Sequence, residues 1–250
     1  MYSNLLNLRL SFRQPFFLLM NNIVISLDGH SGCGKSTLAK LIAENLKYVY
    51  IDTGAMYRAV TLFFMNYDLI DNNNKLKNGY EDFLNKVIID FSNADENGKS
   101  WVRLNGQIVE KEIRSLEVSN MVSHVSQSSL VREKMVQLQK SYGHTENLVM
   151  DGRDIGSVVF PNAQIKFWVT ASAEKRAERR YLEFMLKGIK TSFEEVRDNI
   201  VLRDQQDENR DISPLVKPEN AITIDNTDLN INETFDKALN HINKYKDSLS

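Results

Sequence analysis

The chain has 250 residues, of which 42% are hydrophobic and 26% charged, and its formal net charge is −2. This length and composition fit one sizeable α/β domain or one domain with an insertion, and so small a charge excludes an overall basic field that would attract nucleic acid or an anionic membrane. The single cysteine, Cys33, excludes an internal disulfide and favours a reducing cytoplasm.

The first residues of the chain need a separate interpretation. The apolar piece Pro15–Met20 resembles a weak signal peptide, but Arg9 and Arg13 interrupt the apolar stretch and no small-residue cleavage site follows. The stretch is also too short and too broken to span a bilayer. We therefore expect residues 1–21 to form an extension outside the fold, and we expect a cytoplasmic protein that does not use a membrane.

A glycine-rich segment, Gly29–Ser36, lies between the apolar run Ile23–Leu27 and a stretch with helical spacing of apolar residues. Strand, glycine-rich loop and helix in this order are the context of a P-loop, in which backbone N–H groups and the helix N-terminus surround a phosphate. Lys35 can reach the β- and γ-phosphates, and the Ser36 hydroxyl can ligate Mg²⁺. The sequence therefore predicts a nucleoside triphosphate site formed by Gly29, His30, Ser31, Gly32, Cys33, Gly34, Lys35, Ser36 and Thr37.

Further apolar runs predict the rest of an α/β fold. Strands that alternate with helices in this way require right-handed crossovers and a parallel sheet. We predict five core strands, at Ile23–Leu27, Tyr48–Ile51, Asn147–Met150, Gln164–Val169 and Ala221–Ile224. After the P-loop helix, the predicted helices cover Ala59–Tyr67, residues 111–143, Ser172 to about Lys187, a stretch opened by the capping box Ser192–Glu195, and a last helix capped by Asn232.

The segment 68–110 breaks this alternation. A short helix is predicted at Tyr80–Lys86, and turns are predicted at Asn97-Gly98 and Asn105-Gly106. Three short β-like runs lie around these turns, at Val87–Phe91, Trp101–Leu104 and Gln107–Val109. The pattern indicates a small antiparallel meander inserted into the parallel core, with a mere surface excursion as the alternative.

Several arginines lie where a ligand of a parallel sheet binds, beyond the carboxyl ends of the strands. Arg58 follows the second strand, Arg153 follows the third, and Arg132 lies in the helical stretch between them. Guanidinium groups bind phosphate oxygens in a bidentate manner and keep their charge. One triphosphate already has Lys35 and Mg²⁺, so this second set suggests a second anionic substrate, such as a monophosphate acceptor. A solvated or ion-paired surface residue is the alternative for any one of these arginines.

Three aspartates add possible ligands. Asp151 follows the third strand, as the acidic residue of a Mg²⁺-water site does, and a turn-forming aspartate is the alternative. Asp154 and Asp207 can accept hydrogen bonds from an exocyclic amine or a sugar hydroxyl. The four histidines offer no pair at metal-ligand spacing, and His30 receives no catalytic role.

Five groups of segments, in this order, are similar to those of the bacterial cytidylate kinase family of nucleoside monophosphate kinases. They are Ile25–Ser36, Asp52–Arg58, Glu112–Arg114 with Glu117–Ser119, Asp151–Gly156 with Val159–Pro161, and Arg203–Asp204 with Asp207–Arg210. The resemblance implies that ATP and CMP or dCMP give ADP and CDP or dCDP. It also implies an α/β P-loop core at 22–67 and 111–250 with a five-stranded parallel sheet flanked by helices. A helical lid at about 172–210 and an antiparallel insert at 68–110 that binds the monophosphate complete the expected enzyme.

The resemblance further implies roles for individual residues. In the family, Ser123 and Asp154 would contact cytosine, and Asp207 and Arg210 would contact the sugar. The expected CMP-binding residues are Thr53, Arg58, Ser123, Arg132, Arg153, Asp154, Asp207 and Arg210, with Thr53 where the family commonly has a serine. The expected catalytic residues are Lys35, Arg153, Arg180 and Arg203, the expected further ATP-binding residues are Arg176 and Arg179, and the expected Mg²⁺ ligands are Ser36 and Asp151.

The acceptor in such a reaction is already an anion, so positioning and electrostatic stabilisation suffice without a strong base. Three alternatives remain: a P-loop kinase that acts on UMP or shikimate, a GTPase switch, and a nucleotide-binding module without turnover. A GTPase would need an Asn-Lys-x-Asp motif, which does not occur in the sequence. A module without turnover would leave the second arginine set without a purpose. We expect a monomer with ATP and CMP or dCMP as its partners and no nucleic acid.

Overall fold

The structure, a computed structural model, describes residues 22–92, 100–143, 146–186 and 188–248. The expected N-terminal extension, the predicted Asn97-Gly98 turn and the predicted helix end at Lys187 lie outside these residues. Within the described ranges, no helix is long and apolar enough to cross a membrane.

The predicted core strands form one five-stranded parallel sheet. Each begins one residue later than predicted, and each extends further at its carboxyl end. The strands extend further at their carboxyl ends because polar residues there still pair across the sheet, as Asp28 does with Gly152 and Asp52 with Asp151. The strands of the described residues are β1 Val24–Asp28, β2 Val49–Asp52, β3 Ile89–Phe91, β4 Val102–Leu104, β5 Gln107–Ile108, β6 Leu148–Gly152, β7 Ile165–Thr170 and β8 Ile222–Asp225. The order in the parallel sheet is β2-β6-β1-β7-β8.

Helices cover both faces of this sheet. One apolar layer includes Leu38 and Ile42 against Phe167, and the other includes Met56 and Phe64, all of which are fully buried. Because β1 lies at the centre and is buried along its whole length, the loop that follows it has a rigid base. The helices are α1 Lys35–Leu46, α2 Thr53–Asn66, α3 Tyr80–Leu84, α4 Leu116–Val125, α5 Ser129–Tyr142, α6 Ala173–Leu186, α7 Phe193–Glu208 and α8 Ile231–Asp247.

The predicted insert forms the three-stranded antiparallel sheet β3-β4-β5. Asn105 and Gly106 have φ angles of 50° and 82°, as a tight hairpin turn requires. Ile89 and Leu104 are buried in the same apolar layer as α2, so the insert packs against the core and is more than a surface excursion.

Several predicted helix boundaries were wrong, each because a different side chain caps the helix. The helix after β2 begins at Thr53 rather than Ala59, since the Asp52 carboxylate accepts from the Ala55 N–H at 2.9 Å. The last helix is capped by Asn230 rather than Asn232. The predicted helical stretch 111–143 is divided into a 3₁₀ turn, Glu112–Arg114, and the two helices α4 and α5, which Ser115 and Ser128 cap.

The helices α6 and α7 form the expected helical pair after β7. Ser172 accepts from the Lys175 N–H, and Ser192 and Glu195 form the predicted capping box. Ala177, Val196 and Ile200 join the two helices in a small apolar cluster of their own. This separate cluster gives the pair its own packing, distinct from that of the sheet layers.

Candidate active site

A cavity of about 530 Å³ lies at the carboxyl ends of β1, β2 and β6. Its walls come from the loop after β1, the start of α2, the helices α4 and α5, and the α6–α7 pair. The sequence-predicted residues that line it are Ser31, Gly32, Gly34, Lys35, Ser36, Thr37, Thr53, Arg58, Ser123, Arg132, Asp151, Arg153, Asp154, Arg179, Arg180, Arg203, Asp207 and Arg210. Donor and acceptor candidates from distant parts of the chain therefore face one space.

Four predicted triphosphate-binding residues, Gly29, His30, Cys33 and Arg176, do not line this cavity. Gly29 has φ 146°, and a Cβ there would lie 2.0 Å from the Val169 carbonyl oxygen, so this glycine allows the loop to pack on β7. The His30 ring nitrogen Nε2 is 2.7 Å from Glu208, and the Cys33 thiol is buried, 3.1 Å from the His30 carbonyl oxygen. These residues therefore contribute to the packing of the loop and do not line the cavity.

Arg176 and Arg179 also support the loop. Arg176 is buried, forms an ion pair with Asp204 at 2.6 Å and donates to the Ser31 carbonyl oxygen at 3.3 Å. Arg179 donates to the side chain and the backbone carbonyl of Asn226 at 2.9 and 2.8 Å. The Asn226 amide in turn donates to the Cys33 carbonyl oxygen at 2.9 Å. The two arginines thus tie α6 to the loop, and of the two only Arg179 lines the cavity.

Lys35 begins α1 and lines the cavity next to the glycine-rich loop. Its ammonium group is buried and donates to the His30 carbonyl oxygen at 2.5 Å. Burial lowers the pKa of Lys35, and the neighbouring positive charge of Arg153 lowers it further. A phosphate oxygen placed between these cations would offset both effects.

Ser36 and Asp151 lie beside each other, as expected for metal ligands. The Ser36 hydroxyl donates to one Asp151 oxygen at 2.8 Å, and the Tyr50 hydroxyl donates to the other at 2.7 Å. Burial raises the pKa of Asp151, and the adjacent Asp52 raises it further. Among the described residues, no group of three or more His, Cys, Asp or Glu side chains could hold a metal ion. The fit is therefore to a hard cation that takes a few protein oxygens and completes its shell with phosphate and water, as Mg²⁺ does.

Two ion pairs line the cavity, and we call them the paired wall: the buried pair Arg132–Asp154 and the partly buried pair Arg153–Asp207. Arg153 donates to Asp207 at 2.9 Å, and Arg132 contacts Asp154 directly. Burial opposes the charge of each arginine, but the partner carboxylate outweighs it and raises the pKa of both guanidinium groups. These side chains therefore hold fixed positions without any ligand.

Three further cations line the cavity beside the wall, and we call them the cationic floor: Lys35, Arg58 and Arg203. Among the residues that the structure describes, neither guanidinium of the floor takes part in an ion pair, and the buried Arg203 Nε has no hydrogen-bond partner. Burial and the charge of Arg153 lower the pKa of Arg203 to about 10. Burial also lowers the pKa of Arg58, although Asp52 opposes this. In each of these three cations burial outweighs the effect of the nearby carboxylates, so the group is suited to an anion with several negative oxygens.

Asp28 connects the end of β1, which leads into the P-loop, with the segment that follows the wall residues Arg153 and Asp154. Its two carboxylate oxygens accept from the backbone N–H groups of Ile155 and Gly156, at 2.7 Å each. Burial raises the pKa of Asp28 to about 7. Because Asp28 ends β1 and the Ile155 loop follows Arg153 and Asp154, this carboxylate sets the wall at a fixed distance from the P-loop.

Sequence reasoning missed several residues that line the cavity. Arg114 lies 3.3 Å from Asp52 and 2.7 Å from Glu110, and the positive charges of Arg58 and Arg114 keep the pKa of Asp52 low against the effect of burial. The helical spacing of three from Ser123 could have indicated one of them, Ser126. The missed lining residues are Lys40, Asp52, Gly54, Tyr57, Arg114, Val122, Ser126, Gly152 and Glu183.

The parallel α/β fold, the loop at the start of α1 and a second basic site facing it across one cavity define a P-loop kinase. Comparison with known proteins narrows this class. Residues 25–244 match the family model for cytidylate kinase. The chain is 48% identical over 224 residues to cytidylate kinase of Flavobacterium johnsoniae, with 90% of this chain and 97% of that protein covered. It is 43% identical to cytidylate kinase of Clostridioides difficile, with 90% and 100% covered. The chain belongs to the cytidylate kinase family.

A solved shikimate kinase from Bacteroides thetaiotaomicron is also similar, with a TM-score of 0.44 and 12% identity over 88% of this chain and 98% of that one. So low a likeness carries no argument about the substrate. The family membership confirms the predicted enzyme class, a phosphotransferase, and the predicted resemblance.

Proposed function

We propose that the protein transfers the γ-phosphoryl group of ATP to CMP or dCMP and so gives ADP with CDP or dCDP. The observation that carries the proposal is that one cavity contains the P-loop, the cationic floor and the paired wall. Two substrates that meet there could align their phosphates over the floor. The names of the curated relatives support cytidine monophosphate as the acceptor.

In this proposal the donor phosphates lie on the P-loop, with Lys35 at the position of transfer. Arg153, Arg180 and Arg203 stabilise the negative oxygens of the moving group, since all three guanidinium groups line the same cavity. Ser36 and Asp151 hold Mg²⁺, which neutralises phosphate charge when it is bound with ATP. The remaining support residues, Arg176 and Arg179, keep the loop in place from α6.

The acceptor lies between the wall and α4. Its phosphate contacts Arg58 and Arg153, and Thr53 lies beside them at the start of α2. Ser123 and Asp154 contact the cytosine, and Asp207 and Arg210 contact the sugar. Arg132 fixes Asp154, and Arg210 has one buried nitrogen, Nη2, without a hydrogen-bond partner in the described part of the chain. A single polar group left open beside Asp207 is suited to a sugar hydroxyl.

The proposal extends to the organisation of the enzyme. The core is 22–67 with 111–250, the α6–α7 pair within about 172–210 acts as a lid, and the insert 68–110 belongs to the acceptor side. A lid that closes over the phosphates would exclude water and limit ATP hydrolysis. We further propose a cytoplasmic monomer in pyrimidine nucleotide metabolism that needs no nucleic acid or membrane.

The experiment that tests the function is an acceptor screen with the purified full chain, ATP and Mg²⁺. CMP, dCMP, UMP, AMP, GMP and shikimate are supplied one at a time, and ADP and the phosphorylated product are measured. We expect CDP and dCDP to form fastest, and we expect no product with Lys35→Met, a control that excludes a contaminating kinase. Faster turnover of UMP or shikimate would replace the proposed acceptor, and no turnover with any acceptor would favour a nucleotide-binding module.

A further inference from the structure

The carboxylate of Asp151 has a second hydroxyl partner that the proposed mechanism does not use. Ser36 donates to its Oδ2 at 2.8 Å, and Tyr50 donates to its Oδ1 at 2.7 Å. Each hydroxyl therefore donates to a different oxygen of the carboxylate. The tyrosine comes from β2, a different element from the P-loop helix that supplies the serine.

The sheet register brings Tyr50 to this carboxylate. Asp52 pairs directly with Asp151 on the neighbouring strand, and Tyr50 lies two residues before Asp52, so all three side chains share one face of the sheet. The Tyr50 ring is half-buried in the apolar layer next to α1, and the Lys40 ammonium lies 5.6 Å from its centroid. Lys40 is one helical turn after Ser36, so α1 contacts both the ring and the carboxylate that the ring supports.

We infer that Tyr50 is a positioning residue for the metal–triphosphate site, an inference that rests on the proposed function of Ser36 and Asp151. The terminal torsion of an aspartate is broad, so one hydrogen bond leaves the carboxylate free to turn. A second hydrogen bond to the other oxygen fixes its plane and keeps Oδ2 directed at the Ser36 proton. The lone pairs of the serine oxygen then remain available to the cation, as partners behind a metal ligand commonly ensure.

The test compares Tyr50→Phe with Tyr48→Phe, which removes the same hydroxyl from the same face of the chain two residues earlier, where the ring packs near Lys246. Calorimetry measures binding of the β,γ-imido analogue of ATP to the full chain, once with Mg²⁺ and once with a chelator. We expect Tyr50→Phe to weaken binding about ten-fold with Mg²⁺ and to leave metal-free binding unchanged. We expect Tyr48→Phe to match the unaltered protein under both conditions.

A merely structural tyrosine would change both measurements alike or neither, and either result would overturn the inference. Two further variants, Ser36→Ala and Asp151→Asn, separate this outcome from failure of the proposed function. If they abolish the gain in affinity with Mg²⁺ and Tyr50→Phe keeps it, only the role of Tyr50 is refuted. If they too keep the gain, the proposed metal site is wrong, and the role of Tyr50 is refuted with it.

Discussion

The paired wall and the cationic floor both contain two arginines that line one cavity, but the two regions differ in their electrostatics. In the wall, Arg132 and Arg153 each contact an aspartate, and the pKa of each guanidinium is raised. In the floor, the pKa values of Lys35, Arg58 and Arg203 are all lowered, first by burial. Each wall arginine has an ion-pair partner that raises its pKa, whereas in the floor burial outweighs the effect of the nearby carboxylates.

This difference separates Arg132, which is paired and fixes Asp154, from the floor arginines, which are proposed to bind phosphate. The buried Arg132–Asp154 pair fixes geometry, because each charge already has its partner. Buried cations without partners destabilise the free protein and gain most from a bound phosphate. We therefore expect loss of the Arg132–Asp154 pair to act mainly on stability and changes in the floor to act mainly on catalysis. Arg153 combines an ion pair with a proposed phosphate contact, so its loss should affect both.

The largest expected effect comes from removing one half of the most buried pair of the wall. Arg132→Met leaves the Asp154 carboxylate buried without its cation, and we expect a loss of about 3–5 kcal/mol in the free energy of unfolding, measured by urea denaturation. The double variant Arg132→Met with Asp154→Leu removes both charges and should recover most of that loss. An Arg132→Met protein as stable as the unaltered chain would show that the wall is not held by this pair.

The second largest expected effect comes from removing one cation of the floor. We expect Arg203→Met to lower kcat/KM about 10²–10³-fold, equivalent to about 3–4 kcal/mol, because it removes a donor aimed at the transferred phosphoryl group. Its free energy of unfolding should stay the same or rise by about 1 kcal/mol, because burial and the charge of Arg153 both oppose the charge that is removed. Steady-state kinetics and urea denaturation of the same preparation measure the two quantities.

The matched control for that variant is Arg197→Met, on the same helix. Arg197 is exposed and pairs with its neighbour Asp198 at 3.0 Å, so both quantities should be unchanged. A loss of stability in Arg203→Met as large as that in Arg132→Met would remove the distinction between floor and wall.

The part of the site that the sequence predicts best is the part formed by one continuous segment. A P-loop needs glycine at fixed positions because its backbone takes conformations that other residues avoid, and these glycines follow an apolar strand. The five core strands were also predicted from single segments, because buried parallel strands are apolar almost throughout. Their ends were placed too early because Asp28 and Asp52 are polar but still pair in the sheet.

The wall could not be predicted as a set of pairs. Arg132 and Asp154 are 22 residues apart, and Arg153 and Asp207 are 54 residues apart, so only tertiary packing decides which carboxylate each arginine meets. The resemblance named these residues but not their partners. The sequence likewise could not show that Arg176 contacts the outside of the P-loop, because helical spacing places three arginines of α6 without saying which one is buried.

The smallest expected effect concerns the second pair of the wall at low pH. Burial opposes ionisation of Asp207, but Arg153 outweighs it, so the pKa of Asp207 lies below its ordinary value of 3.8. The pair therefore stabilises the protein fully above that value, and the contribution is lost as the pH falls through the lower pKa of the folded state. We expect Asp207→Asn to flatten the acid limb of the unfolding free energy by about 1 kcal/mol relative to the unaltered chain.

Asp198→Asn, which removes an exposed carboxylate from the same helix, serves as the control. Parallel curves for Asp207→Asn and the unaltered chain between pH 7 and about pH 3 would mean that the Arg153 pair contributes no more than a surface contact, and the wall would then reduce to Arg132 and Asp154.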